Sequence, residues 1–226
     1  MENIIILSLI ILFFNSINKK EGFKDGNKLT FESTQNWDNT FFMLGINISN
    51  AHLKFVESLN LQNHKENEYK KVLEKDNIAK ELEYIIELKQ YRTPKKIQEI
   101  KEEIYLINTI KRFNLKSQKE INIMTKKISS INGIIFYIKK YFNRVRPHFL
   151  HKDINPVIKN PGHPAYPSGH SIQAHLIAYL LPKEDLKKNL IIANKIAVNR
   201  EIAGVHYRSD TKYGKYLAKK ISEKLF

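Results

Sequence analysis

Three clusters beyond residue 138 carry the side chains that could do chemistry. They are Lys139 with Arg146-Pro147, then Pro167-Ser168-Gly169-His170, then Arg200, His206 and Asp210. Each residue type suits the holding and attack of a phosphate-like oxyanion. Lys139 and Arg146 are seven apart, two helical turns, so a helix would project both from one face. Pro147 disfavours helical geometry at Arg146 and puts it at a helix exit, pointing into a cleft. Two cations at a fixed separation suit a tetrahedral oxyanion, and the guanidinium fork can take two of its oxygens. Alone this pair is a weak signal, because Lys140 and Arg144 are equally basic neighbours.

Ser168 is placed to cap the helix that the apolar stretch Ile172 to Leu181 predicts. Free N–H groups and the positive dipole end then attract anions at that point. Gly169 lets backbone approach a ligand closely, and His170 is placed to give a proton to a leaving oxygen. Arg200 lies near the end of a helix read from about Glu184, which Gly204 breaks. His206 and Asp210 follow at a spacing of four. A carboxylate on one imidazole nitrogen fixes the tautomer and raises the nucleophilicity of the other. Ser209 is read as the cap of a final helix from Asp210 onward. Each cluster also has a plain reading: surface cations, a capped helix start with a surface histidine, a structural His–Asp hydrogen bond.

Taken in order, Lys-x6-Arg-Pro, Pro-Ser-Gly-His and Arg-x5-His-x3-Asp resemble the signature of the type 2 phosphatidic acid phosphatase superfamily. That superfamily also holds bacterial non-specific acid phosphatases and vanadium haloperoxidases. The resemblance is strongest over residues 139–217. It departs at Asn199, where the family usually has Ser, and in the short interval between His170 and Arg200. It implies that Lys139, Arg146 and Arg200 bind phosphate oxygens, with added hydrogen bonds from Ser168 and the Gly169 N–H. It implies that His206 attacks phosphorus and becomes a phosphohistidine, that Asp210 orients it, and that His170 protonates the leaving group and then activates water. No metal is implied, since the cations neutralise the charge. Vanadate is expected as an inhibitor, and as a cofactor only in a haloperoxidase built on the same constellation.

The elements that must position these residues read as helices almost throughout. Trp37, Phe41, Phe42, Leu44 and Ile48 give an aromatic-rich helical stretch. Residues 66–90, with Tyr69, Val72, Leu73, Ile78, Leu82, Ile85 and Ile86 among many charges, fit one amphipathic helix or a broken pair. Thr93-Pro94 starts a helix on which Ile97, Ile100, Ile104 and Ile107 recur on one face. Ser117 and Glu120 form a capping box for a helix running to about Val145. No alternating strand pattern of useful length occurs. The expectation is an all-α, single-domain helical bundle over residues 34–226, of the acid phosphatase and vanadium haloperoxidase type by resemblance.

The chain has 226 residues, enough for one sizeable core, and no cysteine, so neither disulfides nor thiolate chemistry. Its net charge of +15 attracts anions, although the lysines are spread rather than striped. The run Ile4–Phe14, apolar but for Ser8, has the length of a signal-peptide core and is short for a spanning helix. Residues 1–18 are therefore read as a signal peptide or short membrane anchor, with 19–33 as a lead-in linker, and the protein as exported or tethered. The charged stretch 51–130 disfavours the several spanning helices of lipid-phosphate hydrolases. A soluble phosphomonoesterase acting on a phosphorylated small molecule therefore leads. A lipid phosphate reached at an anionic membrane surface, a vanadium haloperoxidase and a basic non-enzymatic anion-binding module are the alternatives. No specific nucleic-acid partner or histidine-metal site is expected, and the oligomeric state is not legible.

Overall fold

The computed structural model describes residues 30–226 apart from residues 35 and 47. The apolar run Ile4–Phe14 and all but the end of the lead-in lie outside the described residues. That end is anchored rather than a free linker. Phe31–Ser33 form a 3₁₀ turn, Phe31 is buried and donates its N–H to the Asn143 carbonyl, and Thr30 bridges Arg144. Among the described residues regular structure is helical and no strand occurs. In chain order the main helices are α1 (Asn39–Ile46), α2 (Asn50–Ser58), α3 (Lys75–Glu87), α4 (Pro94–Glu102), α5 (Leu106–Lys111), α6 (Gln118–Ser130), α7 (Asn132–Phe142), α8 (Gly169–Leu180), α9 (Leu186–Ile202) and α10 (Arg208–Leu225). None is long and apolar enough to cross a membrane.

Helix α8 is the centre. Ile172, Ala174, Leu176, Ile177 and Ala178 are all buried, on every side of the helix, because α9 and α10 pack along it. An unbroken apolar run is what such an enclosed helix needs. Gly214 lets α10 come close: a Cβ there would lie 2.9 Å from the Ser168 carbonyl oxygen and from Ser171 Cβ. The first turn of α8 is thereby held against the first turns of α10. Helix α1 lies across α7, with Phe41 stacked on Phe136 at 4.9 Å.

Several boundaries differ from the sequence reading. Residues 66–90 are a broken pair, a π turn at Lys65–Tyr69 followed by α3. Helix α4 starts at the Thr93 cap as expected but ends at Glu102, so Ile104 leaves the apolar face of Ile100 and stands 46% exposed. The Ser117 cap holds, with the Glu120 N–H on its hydroxyl, while the Glu120 carboxylate reaches Lys116 N–H instead of Ser117. The helix expected to run to Val145 breaks at Ile131, where ψ falls to 1°, and ends at Phe142. Asn143 ends it in the left-handed region at φ 49°, a conformation Asn tolerates better than most residues.

Candidate active site

The early end of α7 has a direct consequence for the first cluster. Lys139 and Arg146 do not meet by sharing a helical face. Lys139 sits in the last turn of α7, while Arg146 lies beyond the Asn143 turn, extended at ψ 153° and capping the short helix Pro147–Leu150. The chain doubles back and brings the two cations together. They line a cleft of about 830 Å³ with Gly169, His170, Arg200 and His206. Asp210 stands behind His206. Ser168 is fully buried, behind Gly169.

Gly204, at φ +79°, turns the chain out of α9 and delivers His206 to the cleft. Its Nδ1 lies 2.9 Å from Asp210 Oδ2, which also accepts the Tyr207 N–H at 3.0 Å. A carboxylate only accepts, so Nδ1 carries the proton and Nε2 keeps a lone pair. Burial, then the charges of Arg146 and Lys139, hold the His206 imidazole well below its ordinary range. Ser209 is not the cap of α10. Tyr207 is, with Asp210 in the third position returning a bond to the Tyr207 N–H. The reason is that α10 begins two residues earlier than the sequence suggested.

On the facing side, His170 Nε2 lies 3.0 Å from the Glu103 carbonyl oxygen. A carbonyl only accepts, so Nε2 carries the proton and Nδ1 is the basic nitrogen. Burial, helped by the Arg200 charge, brings this imidazole down to about 3. Ser168 caps α8 as expected, its hydroxyl taking the Ser171 N–H, while its own N–H goes to the Asp210 carbonyl. It ties the starts of α8 and α10 together rather than lining the cleft.

The three cations are held differently. Arg146 spends its donors on the protein: His163 and Val205 carbonyls at 2.9 and 2.6 Å, His163 Nδ1 at 3.1 Å, Pro164 carbonyl at 3.3 Å. Its Nη1 is 3.5 Å from His206 Nε2. Lys139 Nζ gives all three protons to carbonyls, of Pro164, Ala165 and Pro167, at 2.8, 3.1 and 2.6 Å. Arg200 alone keeps donors in reserve. Its Nη2 bonds the Ile100 carbonyl and Glu103 Oε2, both at 2.9 Å, whereas Nε and Nη1 have no partner in the protein. Burial brings Arg146 down to about 9 and Arg200 to about 10, still charged at neutral pH.

Sequence reasoning missed three residues that build this site. Arg144, dismissed as a surface cation, is buried and gives Nη1 to Asp210 Oδ1 at 2.6 Å and Nη2 to Glu81 Oε2 at 2.9 Å. Glu81 on α3 also takes the Ser209 N–H and hydroxyl. Glu103, just past α4, holds Arg200 and Asn199 with its carboxylate and His170 with its carbonyl. Asn199 therefore has a clear task in place of the family's usual Ser: both its bonds go to the Glu103 carboxylate. A signal existed for Arg144 alone, in its place one residue after an Asn that ends a helix. The histidines that might have formed a metal site do not assemble; among the described residues no group of three His, Cys, Asp or Glu is arranged to hold an ion.

Residues 128–219, which contain every residue of the three clusters, match the family model described as PAP2 superfamily. This segment belongs to the PAP2 superfamily. Helices α7 to α10 are thus the family's part of the chain, whereas Glu81 and Glu103 come from outside it. Two solved structures are similar. One is the first bacterial vanadium dependant iodoperoxidase, at 17% identity over 65% of this chain and 49% of that one, TM-score 0.48. The other is the first transmembrane PAP2 type phosphatidylglycerolphosphate phosphatase from Bacillus subtilis, at 20% identity over 83% and 96%, TM-score 0.44. The chain spans about half the length of the iodoperoxidase. No curated protein matches.

Proposed function

We propose that this chain is a phosphoric monoester hydrolase that works through a phosphohistidine and needs no metal ion. One observation carries the reading: a lone-pair nitrogen, His206 Nε2, backed by Asp210, shares a cleft with an arginine whose Nε and Nη1 have no protein partner and with a second oriented imidazole, His170. A phosphate dianion satisfies the idle Arg200 donors and displaces the long Arg146 contact. Its charge also offsets the cations that keep both imidazoles neutral. His170 can then hold a proton at Nδ1, taken from solvent or brought by the substrate monoanion.

His206 Nε2 forms the N–P bond as the ester P–O bond breaks, and His170 gives its Nδ1 proton to the departing alkoxide. Asp210 offsets the positive charge that the phosphorylated imidazole acquires. Neutral His170 next takes a proton from water, whose oxygen attacks phosphorus. The N–P bond breaks, phosphate leaves, and His206 is regenerated.

The cleft wall bears on the substrate. Trp37, Phe41 and Leu44 from the α1 region, Ile104 and Leu106 from the α4–α5 turn, and Phe136 of α7 are apolar. This favours esters of apolar alcohols or phenols, and it supports the second reading, a lipid phosphate reached at a membrane surface. The Ile4–Phe14 run supports export or tethering of the enzyme. The test is hydrolysis of p-nitrophenyl phosphate in excess EDTA, with vanadate as inhibitor and His206→Ala as control. Metal-independent, vanadate-sensitive turnover that vanishes in the variant is expected. Persistence of turnover in His206→Ala overturns the reading. Halide oxidation with vanadate and peroxide but no ester hydrolysis assigns the site to a haloperoxidase, and salt-sensitive anion binding without turnover to a binding module.

A further inference from the structure

Behind the nucleophile runs a chain of charged groups that the mechanism above does not use: Glu81 Oε2 to Arg144 Nη2 at 2.9 Å, Arg144 Nη1 to Asp210 Oδ1 at 2.6 Å, and Asp210 Oδ2 to His206 Nδ1 at 2.9 Å. Ser209 closes it into a ring, accepting from Arg144 at 2.6 Å and donating to Glu81 at 2.8 Å. The Arg144 guanidinium lies 3.7 Å over the Tyr207 ring, next to Tyr166 and Tyr69. Its plane and both of its forks are fixed. Glu81 is the outer end, 16% exposed, on a helix outside the family segment.

A buried arginine on the catalytic carboxylate poses a problem that the geometry resolves. Arg144 holds Asp210 in place, but a bound cation cancels the charge for which Asp210 is needed. An Asp210–Arg144 pair alone is neutral and offers a phosphorylated imidazole little stabilisation. Adding Glu81 makes the set one Arg and two carboxylates, with one net negative charge. We propose that Arg144 and Glu81 are positioning residues for the nucleophile: Arg144 locks Asp210, and Glu81 restores the net negative charge that Asp210 delivers to His206. This rests on the reading of His206 as the nucleophile.

The two roles have opposite electrostatic signs at His206, and a structural role would not. His206 is also faced by Arg146 from the loop, Lys139 from α7, His170 from α8, Arg200 from α9 and His163, and these stay constant in the comparison. Glu81→Gln keeps the shape and the acceptor oxygen for Arg144 and Ser209. Arg144→Gln removes the cation, and Arg144→Lys keeps the charge without the fork.

The experiment follows the His206 imidazole by ¹⁵N NMR across pH in the full chain, together with the acid limb of kcat/KM on p-nitrophenyl phosphate. Thermal melts verify that each variant is folded. Arg144→Gln should move protonation of His206 upward by about one pH unit or more, a tenfold change in the protonation equilibrium. Glu81→Gln should move it downward and lower kcat roughly tenfold with little change in KM. Arg144→Lys should return most of the Arg144→Gln shift. Shifts of the same sign in the two Gln variants, or none in a folded Glu81→Gln protein, overturn the inference. The NMR arm decides it even if wild type hydrolyses nothing, a result that would sink the phosphatase reading separately.

Discussion

Arg200→Lys is the sharpest perturbation of the proposed phosphate site, because Arg200 is the one cation there with idle donors. The native guanidinium commits Nη2 to the Ile100 carbonyl and Glu103, leaving Nε and Nη1 for a ligand. A lysine at this position keeps a positive charge and can still satisfy Glu103, but it is a point charge without a fork. It forfeits at least one charge-assisted hydrogen bond to the oxyanion, worth about 1.5–3 kcal/mol. That is roughly a tenfold to 150-fold loss of affinity. The assay is the inhibition constant for vanadate and for inorganic phosphate at fixed pH and ionic strength, with equilibrium dialysis as a check that does not need turnover. Both constants should rise together. A change under about threefold in a folded variant would mean that the idle Arg200 donors do not meet the oxyanion, and the reasoning would fail.

Lys139 should behave differently, since its ammonium is already spent on three carbonyls. Lys139→Met strands three buried acceptors at about 1–3 kcal/mol each, so urea unfolding should show a loss of roughly 3 kcal/mol or more, larger than for Arg200→Lys. His170→Ala should slow esters of poor leaving groups far more than p-nitrophenyl phosphate, because its proposed task is proton donation; equal losses on both would remove that role. Stability should fall as pH drops below 6.5. His170 takes up its proton only near 3 and His148 near 4 in the folded chain, while the unfolded chain protonates both near 6.5. Across those windows the unfolded state binds more protons, and each group subtracts about 1.4 kcal/mol per pH unit. His163 and His206 are lowered in the same sense. Urea midpoints at pH 7 and pH 5 check this, and saturating phosphate should flatten the slope; a midpoint higher at pH 5 would contradict it.

How much of this could be read in the sequence depends on whether a residue acts through its type or through its partner. His206, Asp210, His170, Arg146 and Arg200 announce themselves because each does something no substitute does, and their spacing is local enough to test on paper. The all-α class was legible for a similar reason: helix starts at Ser117 and Ser168 and the apolar run of α8 are local signals. Arg144 was invisible because a buried, doubly paired arginine and a solvated one have the same letter. What separates them is Glu81, 63 positions away on α3, and Asp210, 66 positions away on α10. Glu103 hid in the same way, 97 positions from Arg200, in a stretch whose alternating Lys and Glu read as solvated surface. Both carboxylates lie outside the segment that matches the family. The family segment thus supplies the groups proposed to touch phosphate, and the upstream helices supply the counter-charges that let four cations be buried around them. A buried cation without such a partner costs more than a fold of this size can bear, so the upstream region is as much part of the site as the three clusters. Transplanting residues 128–219 without α3 and the α4–α5 turn should therefore leave Arg144 and Arg200 without their carboxylates, and the segment should fail to fold cooperatively on its own.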